Sequence, residues 1–220
     1  MSTTSPVDRA GSLARRERQR EETRQRILNA ARDLFVRNGV EATTMRAIAA
    51  AIDYTPTAIY HHFRDKNALI EELCYLDFRA LAAALARIGA IADPLERVRR
   101  IGMAYVDFAL ENRSQYQFMF MTQTDHSEHA MARVAKNNPE EDAYAFLIET
   151  VEEGLKRGLF RAEFQDAHQL GQLLWGGLHG IVALHIAKEN DPWIEWRDPR
   201  TTARLAVDVM LRGTRRSEPV

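Results

Sequence analysis

Along residues 21–38 the apolar side chains Ile27, Ala30, Ala31, Leu34 and Phe35 recur at the three- and four-residue spacing of one helical face, and Asn38-Gly39 supplies residue types that end helices. Thr43-Thr44 then offers a capping hydroxyl to a short segment with Met45, Ile48, Ala49 and Ile52 on one face, closing near Asp53. A second start signal follows within a few residues. Thr55-Pro56 pairs a capping hydroxyl with proline at the first helical position, and Ile59, Tyr60 and Phe63 carry the pattern for little more than a turn. The first third therefore predicts three helices, the last two very short.

Asp65 can cap a long helix through Leu69, Leu73, Leu76, Leu81, Leu85 and Ile88, and Asp93-Pro94 opens another with Leu95, Val98, Ile101, Tyr105 and Phe108 on one side. Asn112-Arg113-Ser114 breaks the period ahead of the apolar cluster Tyr116-Gln117-Phe118-Met119-Phe120-Met121. Asn138-Pro139-Glu140-Glu141 reads as a full start signal for a helix ending at Gly158. Asp166 caps a segment through Ala187, and Asp198-Pro199 opens the last helix. Residues 126–138 and 190–200, the latter with Trp193 and Trp196, read as loops. No strand pattern intervenes, so the expected class is all-α: an N-terminal three-helix helix-turn-helix domain and a larger helical domain. The expected divisions are a flexible arginine-rich arm at 1–20, the three-helix domain at 21–68 with its helix-turn-helix at 44–63, the second helical domain at 69–213, and a tail at 214–220.

Composition narrows the function. The chain has 220 residues, 45% hydrophobic and 28% charged, which is ordinary for a globular protein. Its single cysteine, Cys74, rules out an internal disulfide framework and reads as a small buried side chain. No apolar run is long enough for a membrane span and Met1-Ser2-Thr3-Thr4 lacks a secretory pattern, so the expected location is cytoplasmic, with no membrane partner. The net charge of −1 conceals an asymmetry: residues 1–66 carry +4 and residues 67–220 carry −5. A polyanion would prefer the N-terminal third, whose arm holds Arg9, Arg15, Arg16, Arg18 and Arg20. There is no phosphate-cradling glycine loop, nucleophile elbow or metal quartet, so neither an enzyme nor a cofactor is expected. His126 and His129 share a spacing that suits a metal, but no carboxylate or thiol cluster completes a site. A helical adaptor binding only protein would leave the basic first third without a purpose.

Two short helices meeting across a tight turn, propped by a longer one, let one helix enter the major groove while its neighbour crosses the backbone. Three segments in order carry a resemblance: Arg26 to Phe35 (RILNAARDLF), then Gly39 with Thr43 to Ala49 (TTMRAIA), then Ile59 to Leu69 (IYHHFRDKNAL). Over residues 21 to about 75 the chain resembles the tetracycline-repressor (TetR) family. The resemblance implies a homodimer on a palindromic double-stranded DNA operator, usually acting as a repressor and released by a small molecule, although an activator could have the same fold. It makes residues 21–68 the DNA-binding domain and residues 69–213 the helical ligand-binding, regulatory and dimerisation domain. Thr44 and Thr55 then hold phosphates at helix starts, beside Pro56, with Arg46 one turn inside the second helix. Thr57 and His61 face base edges, Tyr60 falls at the family's phosphate-binding tyrosine, and Lys66 contacts the backbone. Plain structural roles compete: capping for the two threonines, packing for Tyr60 and solvation for Lys66. The family usually has glycine and a small aliphatic residue where this chain has Asp53 and Tyr54, and aspartate tolerates left-handed backbone better than most residues.

A second stretch, Leu174-Trp175-Gly176-Gly177-Leu178-His179-Gly180-Ile181-Val182-Ala183-Leu184, is similar to the tryptophan-histidine-glycine (WHG) type of C-terminal domain in that family. Glycines inside a helix cost about 1 kcal/mol each relative to alanine, and close packing or room beside a pocket would compensate. A largely apolar effector would find Tyr105, Phe108, Phe118, Met121, Phe146, Trp175 and His179 as its candidate binding residues, most of them also plausible as core. Helices near 139–157 and 166–187 are the expected dimer face, forming a four-helix bundle across a two-fold axis.

Overall fold

Side-chain caps set most of the helix starts. Thr44 accepts from the N–H of Ala47 ahead of α2 (Met45–Ala51), Thr55 from Ala58 ahead of α3 (Pro56–Tyr60), and Asp65 from Ala68 ahead of α4 (Lys66–Leu85). Asp93 and Asp198 do the same for α5 (Pro94–Glu111) and α9 (Pro199–Thr214), each with proline in the first turn. Asp166 starts α8 (Ala167–Lys188). A hydroxyl or carboxylate there satisfies N–H groups that have no partner within the helix, and each is worth about 1 kcal/mol. The remaining helices are α1 (Pro6–Asn38), α6 (Arg113–Phe120) and α7 (Ala143–Lys156), and a 3-10 turn at Ala86–Ala90 follows α4. This computed structural model describes residues 6–123 and 136–216; its described residues are all-helical, without a strand.

Two starts differ from the sequence expectation. The helix expected from Asn138 begins at Ala143, capped by Asp142, whose carboxylate takes the N–H groups of Tyr144 and Ala145. Asn138 instead closes a preceding turn, accepting from Glu140 through its side chain and from Asp142 through its carbonyl, with Asn137 at φ 65°. A carboxylate at a helix N-terminus outcompetes an amide because it also meets the positive end of the helix dipole. The first helix extends back through the expected arm to Pro6, a span rich in arginine, glutamate, glutamine and alanine, all good helix formers. The side chains of Arg15, Arg16, Arg18 and Arg20 on it are exposed. At the far end Gly39 takes φ 81° and stops α1, and Gly158, at φ 66°, follows the end of α7.

Two apolar cores result. The first joins Ile27, Ala31 and Phe35 of α1 to Ile48 of α2, Ile59 of α3, and Leu69 and Leu73 of α4. The second gathers α5, α7, α8 and α9 with the end of α4, around Tyr105, Val151, Leu174 and Val207. At about 1.5–3 kcal/mol per buried large side chain, each core holds its own helices. Between them lies an ionic contact from which water is excluded. Arg32 of α1 donates through Nε and Nη2 to the two oxygens of Asp77 on α4 at 2.8 and 2.7 Å, and Asp77 has no exposed surface. Gln115 of α6 donates to the same carboxylate at 2.9 Å.

By length and composition α8 is apolar enough to cross a bilayer, contrary to the expectation that no such run exists. Leu170, Leu174, Leu178 and Val182 on its inner face belong to the second core. Its outer face leaves Leu173 and Leu184 exposed, as α9 leaves Leu205 and Val209. The exposed positions of α7, the other helix of the expected dimer face, are charged: Glu149, Glu152 and Lys156.

Candidate nucleic-acid interface and internal cavity

Only Ile59 of α3 is buried. That anchor, packed with Phe63 just beyond the helix, leaves Thr55, Pro56, Thr57, Tyr60 and His61 exposed, Tyr60 at 53%. A polyanion approaching α3 meets hydroxyls, an imidazole and a phenol on one convex ridge. Thr57 and His61 lie one turn apart on it, the spacing that puts two side chains on the same face. Thr44 and Arg46 are exposed beside the start of α2. Lys66 stands apart: its ammonium donates to the carbonyl of Val40 at 2.8 Å, which ties α4 to the end of α1. An ammonium has three hydrogens, so this bond leaves two for a phosphate.

The turn is built around the two residues unusual for its type. Asp53 takes φ 59°, the left-handed conformation for which glycine is the ordinary choice. Tyr54 packs against the first core, its hydroxyl 3.5 Å from Thr23 Oγ1, and Arg26 sits over its ring at 5.3 Å while donating to the carbonyl of Ile52 at 3.2 Å. The large ring thus replaces a small aliphatic residue by reaching back to α1. Arg24 similarly caps the Phe63 ring at 4.4 Å and pairs with Glu72 at 3.0 Å. These two arginines of the basic segment brace the helix-turn-helix from behind.

In the second core lies a cavity of about 410 Å³. Phe78, Leu81 and Leu85 of α4 form one wall, Ile101, Gly102 and Tyr105 of α5 another, and Leu174, Trp175 and Leu178 of α8 a third; Phe120 and Tyr144 complete it. Of the residues expected at an effector, Tyr105 and Trp175 line the space. His179 sits behind them, its Nδ1 2.8 Å from the Tyr105 hydroxyl and 3.0 Å from that of Tyr116. Burial lowers its pKa, so the ring is neutral near pH 7, and burial pushes the Tyr116 phenol up to about 12.

Four of the expected residues are elsewhere. Phe118 belongs to the first core, stacked on Phe35 at a ring separation of 5.9 Å. Phe108 is buried in the second core away from the cavity, Phe146 packs against Gly89 at 3.8 Å, and Met121 is exposed just past α6. Periodicity separates buried from exposed faces but not one core from another, and the run from Tyr116 to Met121 faces both. Tyr116 and Phe120, four apart, turn to Trp175 and His179, while Phe118 turns to α1. The sequence reading therefore omitted Phe120, Phe78 and Tyr144, and the four-residue spacing of Tyr116 and Phe120 was the signal available for the first. His126 and His129 lie outside the described residues.

Three of the α8 glycines also divide by environment. A Cβ at Gly177 would come within 2.6 Å of the Met210 sulfur, so it is the close contact with α9 that requires glycine there. Gly176 and Gly180 would meet nothing, since both lie toward the outer face.

Comparison with known proteins agrees with this arrangement. Residues 27–73 match the profile described as bacterial regulatory proteins, tetR family, and residues 98–210 match the tetracyclin repressor-like C-terminal domain. The HTH-type transcriptional regulator UidR of Escherichia coli (strain K12) is 39% identical over 90 residues, 41% of this chain and 40% of UidR; the match thus spans less than half the length of that relative. The HTH-type transcriptional repressor KstR2 of Mycobacterium tuberculosis is 25% identical over 62% of this chain and 68% of its own. Among solved structures, the TetR family transcriptional regulator PfmR of Thermus thermophilus superposes with a TM-score of 0.64 at 26% identity, covering 84% of this chain and 97% of PfmR. These relatives are transcriptional regulators rather than enzymes, and with more than half of its length matched, this chain belongs to the tetR family of bacterial regulatory proteins.

Proposed function

We propose that the protein is a ligand-responsive transcriptional repressor that binds a palindromic operator as a homodimer and releases it when a small molecule enters the cavity. The observation that carries this reading is the ridge of α3, a five-residue helix that holds the fold through Ile59 and presents Thr57, Tyr60 and His61 outward. Thr57 and His61 read base edges; Thr44, Thr55 and Tyr60 hold phosphates, with Arg46 and Lys66 supplying positive charge. Capping does not compete with this role, because a capping oxygen leaves the N–H groups of the first turn facing solvent.

The homodimer forms through the outer faces of α8 and α9. Leu173, Gly176, Gly180 and Leu184 follow one another at three- and four-residue spacing on α8, and Leu205 and Val209 continue the apolar surface on α9. Placing the two-fold axis there rather than at α7 follows from the charged outer positions of α7. The Trp175-to-Gly180 segment supports assignment to the WHG type: its tryptophan and histidine serve the cavity side, and Gly176 and Gly180 the outer side. A cytoplasmic location accords with a DNA partner.

Effector and operator communicate through α6. Tyr116 and Phe120 touch the cavity groups, Phe118 stacks on Phe35, Ser114 donates to Asp33 at 2.6 Å, and Gln115 donates to Asp77. Any displacement of α6 by a ligand reaches α1, and through it the separation of the two α3 ridges, which must match half-sites roughly 34–36 Å apart. The test is selection of bound sites from random duplexes, then release of the winning site by small molecules. Operator and effector should weaken each other by the same factor. Equal affinity for all duplexes in dilute salt would end the reading.

A further inference from the structure

We infer that the cavity takes an uncharged, flat, ring-bearing molecule with one hydrogen-bond acceptor, which receives the hydroxyl proton of Tyr105. This rests on the reading of the cavity as an effector site and specifies what enters it. The walls bring five aromatic rings to one space: Phe78, Tyr105, Phe120, Tyr144 and Trp175. The last four form a continuous series, with Trp175 centred 6.2 Å from Tyr144, 6.4 Å from Tyr105 and 5.8 Å from Phe120, all inclined rather than parallel. Such rings offer both faces and edges to a flat guest, which an alkyl chain cannot use equally.

Charge is confined to one margin. Lys136 and Glu141 are exposed, and the carboxylate of Asp142 is engaged by the N–H groups of Asn137, Tyr144 and Ala145. Among the described residues, the other lining side chains are not ionic, so none of them offers a counter-charge to a buried anion or cation. The polar side-chain groups in the aromatic walls are donors. The Tyr144 hydroxyl lies against His168 and Gln172 on the outer side, and the Trp175 indole N–H is directed at the Tyr105 oxygen, which leaves the Tyr105 hydroxyl proton.

Proton counting singles out Tyr105. Two phenols converge on His179 Nδ1, which offers one lone pair, or one proton in the other tautomer. Both protons are placed when Tyr105 donates to Nδ1 and Tyr116, fully buried behind the wall, donates to the His179 carbonyl at 3.4 Å. Tyr105 lines the cavity, so a guest acceptor can take its proton instead, and Tyr116 then turns to Nδ1 at 3.0 Å. Tyr116 and His179 are thus positioning residues that release the Tyr105 proton to the guest. At interior packing density the cavity accommodates roughly 300 Å³ of guest, about four fused six-membered rings.

Matched fluorescent probes test this on the full-length protein: 1-pyrenemethanol, pyrene, pyrene-1-carboxylate and (1-pyrenylmethyl)trimethylammonium, with 1-dodecanol as a competing chain alcohol. Binding is followed by energy transfer from tryptophan in the variant Trp193→Phe/Trp196→Phe, where Trp175 is the remaining donor and its transfer locates the probe. The alcohol should bind about three- to tenfold more tightly than pyrene, and at least about tenfold more tightly than either ion. Tyr105→Phe should remove the advantage of the alcohol and leave the affinity for pyrene unchanged. An ion that binds as tightly as the alcohol overturns the inference, as does an advantage that survives in Tyr105→Phe. If dodecanol binds more tightly than every pyrene probe, the flat-ring assignment fails while the effector site stands. If neither the pyrenes nor dodecanol bind, the effector site itself is refuted.

Discussion

Replacing Asp77 by asparagine keeps the shape of the side chain and removes the charge that faces Arg32. The guanidinium would remain almost buried, at 6% exposure, with the Asn29 side chain at 3.0 Å as its other acceptor. Of the two charge-assisted bonds, at 2.8 and 2.7 Å, one is lost because an amide NH2 cannot accept, and the other keeps only a neutral acceptor. Stranding a buried cation costs about 3–5 kcal/mol, a large part of a total stability on the order of 5–15 kcal/mol. With a urea slope of about 2–3 kcal/mol/M, the unfolding midpoint should fall by about 1–2 M. The pair Arg32→Met/Asp77→Leu removes both charges and replaces them with apolar volume, so it should stay within about 1 kcal/mol of the parent protein. Equilibrium urea unfolding at one fixed protein concentration, followed by circular dichroism, measures both; holding the concentration fixed removes any effect of self-association on the midpoint. A loss below about 1 kcal/mol for Asp77→Asn, or a double variant as weak as the single one, would show that water reaches the pair and that the energetic reasoning is wrong.

On DNA, Tyr60→Phe and Lys66→Ala should weaken binding to all duplexes alike and flatten the salt dependence, whereas His61→Ala should alter sequence preference; competition between selected and random duplexes distinguishes the two. Gly176→Trp and Leu184→Glu, both outside the core, should leave the circular dichroism of the chain unchanged and shift sedimentation toward monomer at micromolar concentration; persistence of the dimer would move the interface elsewhere. Gly154→Ala should destabilise by about 1–3 kcal/mol, because its Cβ would stand 2.5 Å from the buried Phe160 ring; an unchanged melting temperature would contradict this. His179 has a pKa lowered by burial, so the unfolded chain takes up its proton first. Its contribution to stability should be intact above pH 6.5 and decline as pH falls toward the lowered folded value. Urea midpoints for the parent and His179→Gln at pH 7.5 and 5.5 should converge at the lower pH, and a constant gap would refute the assignment.

Local chemistry was the legible part of the sequence. Thr44, Thr55, Asp65, Asp93, Asp166 and Asp198 each signal a helix start within the chain itself, and each caps one in the structure. Asn138 misled because a single Asn-Pro pair suits a turn as well as a cap, and the choice was decided by a carboxylate four residues later. The exposed ridge of α3 was legible for a similar reason: the helix is so short that Ile59 and Phe63 are its main apolar anchors. The cavity was not, since which of two cores a phenylalanine enters depends on the angle between helices far apart in sequence. Phe118 and Phe120 are two residues apart and chemically identical, yet one supports the helix-turn-helix and the other faces the cavity.

The span from Lys66 to Leu85 contains no glycine or proline, and over its roughly 30 Å it belongs to both halves of the molecule. Leu69 and Leu73 complete one interior, Leu81 and Leu85 complete the other, and Phe78 touches both. Severing the chain anywhere along this helix would therefore deprive each fragment of residues it needs to stay folded. Grafting a foreign second half onto the first would succeed only if the whole shared helix travelled with one parent and matched the other. For the same reason heat should disorder both halves in a single step, with no temperature at which one persists alone.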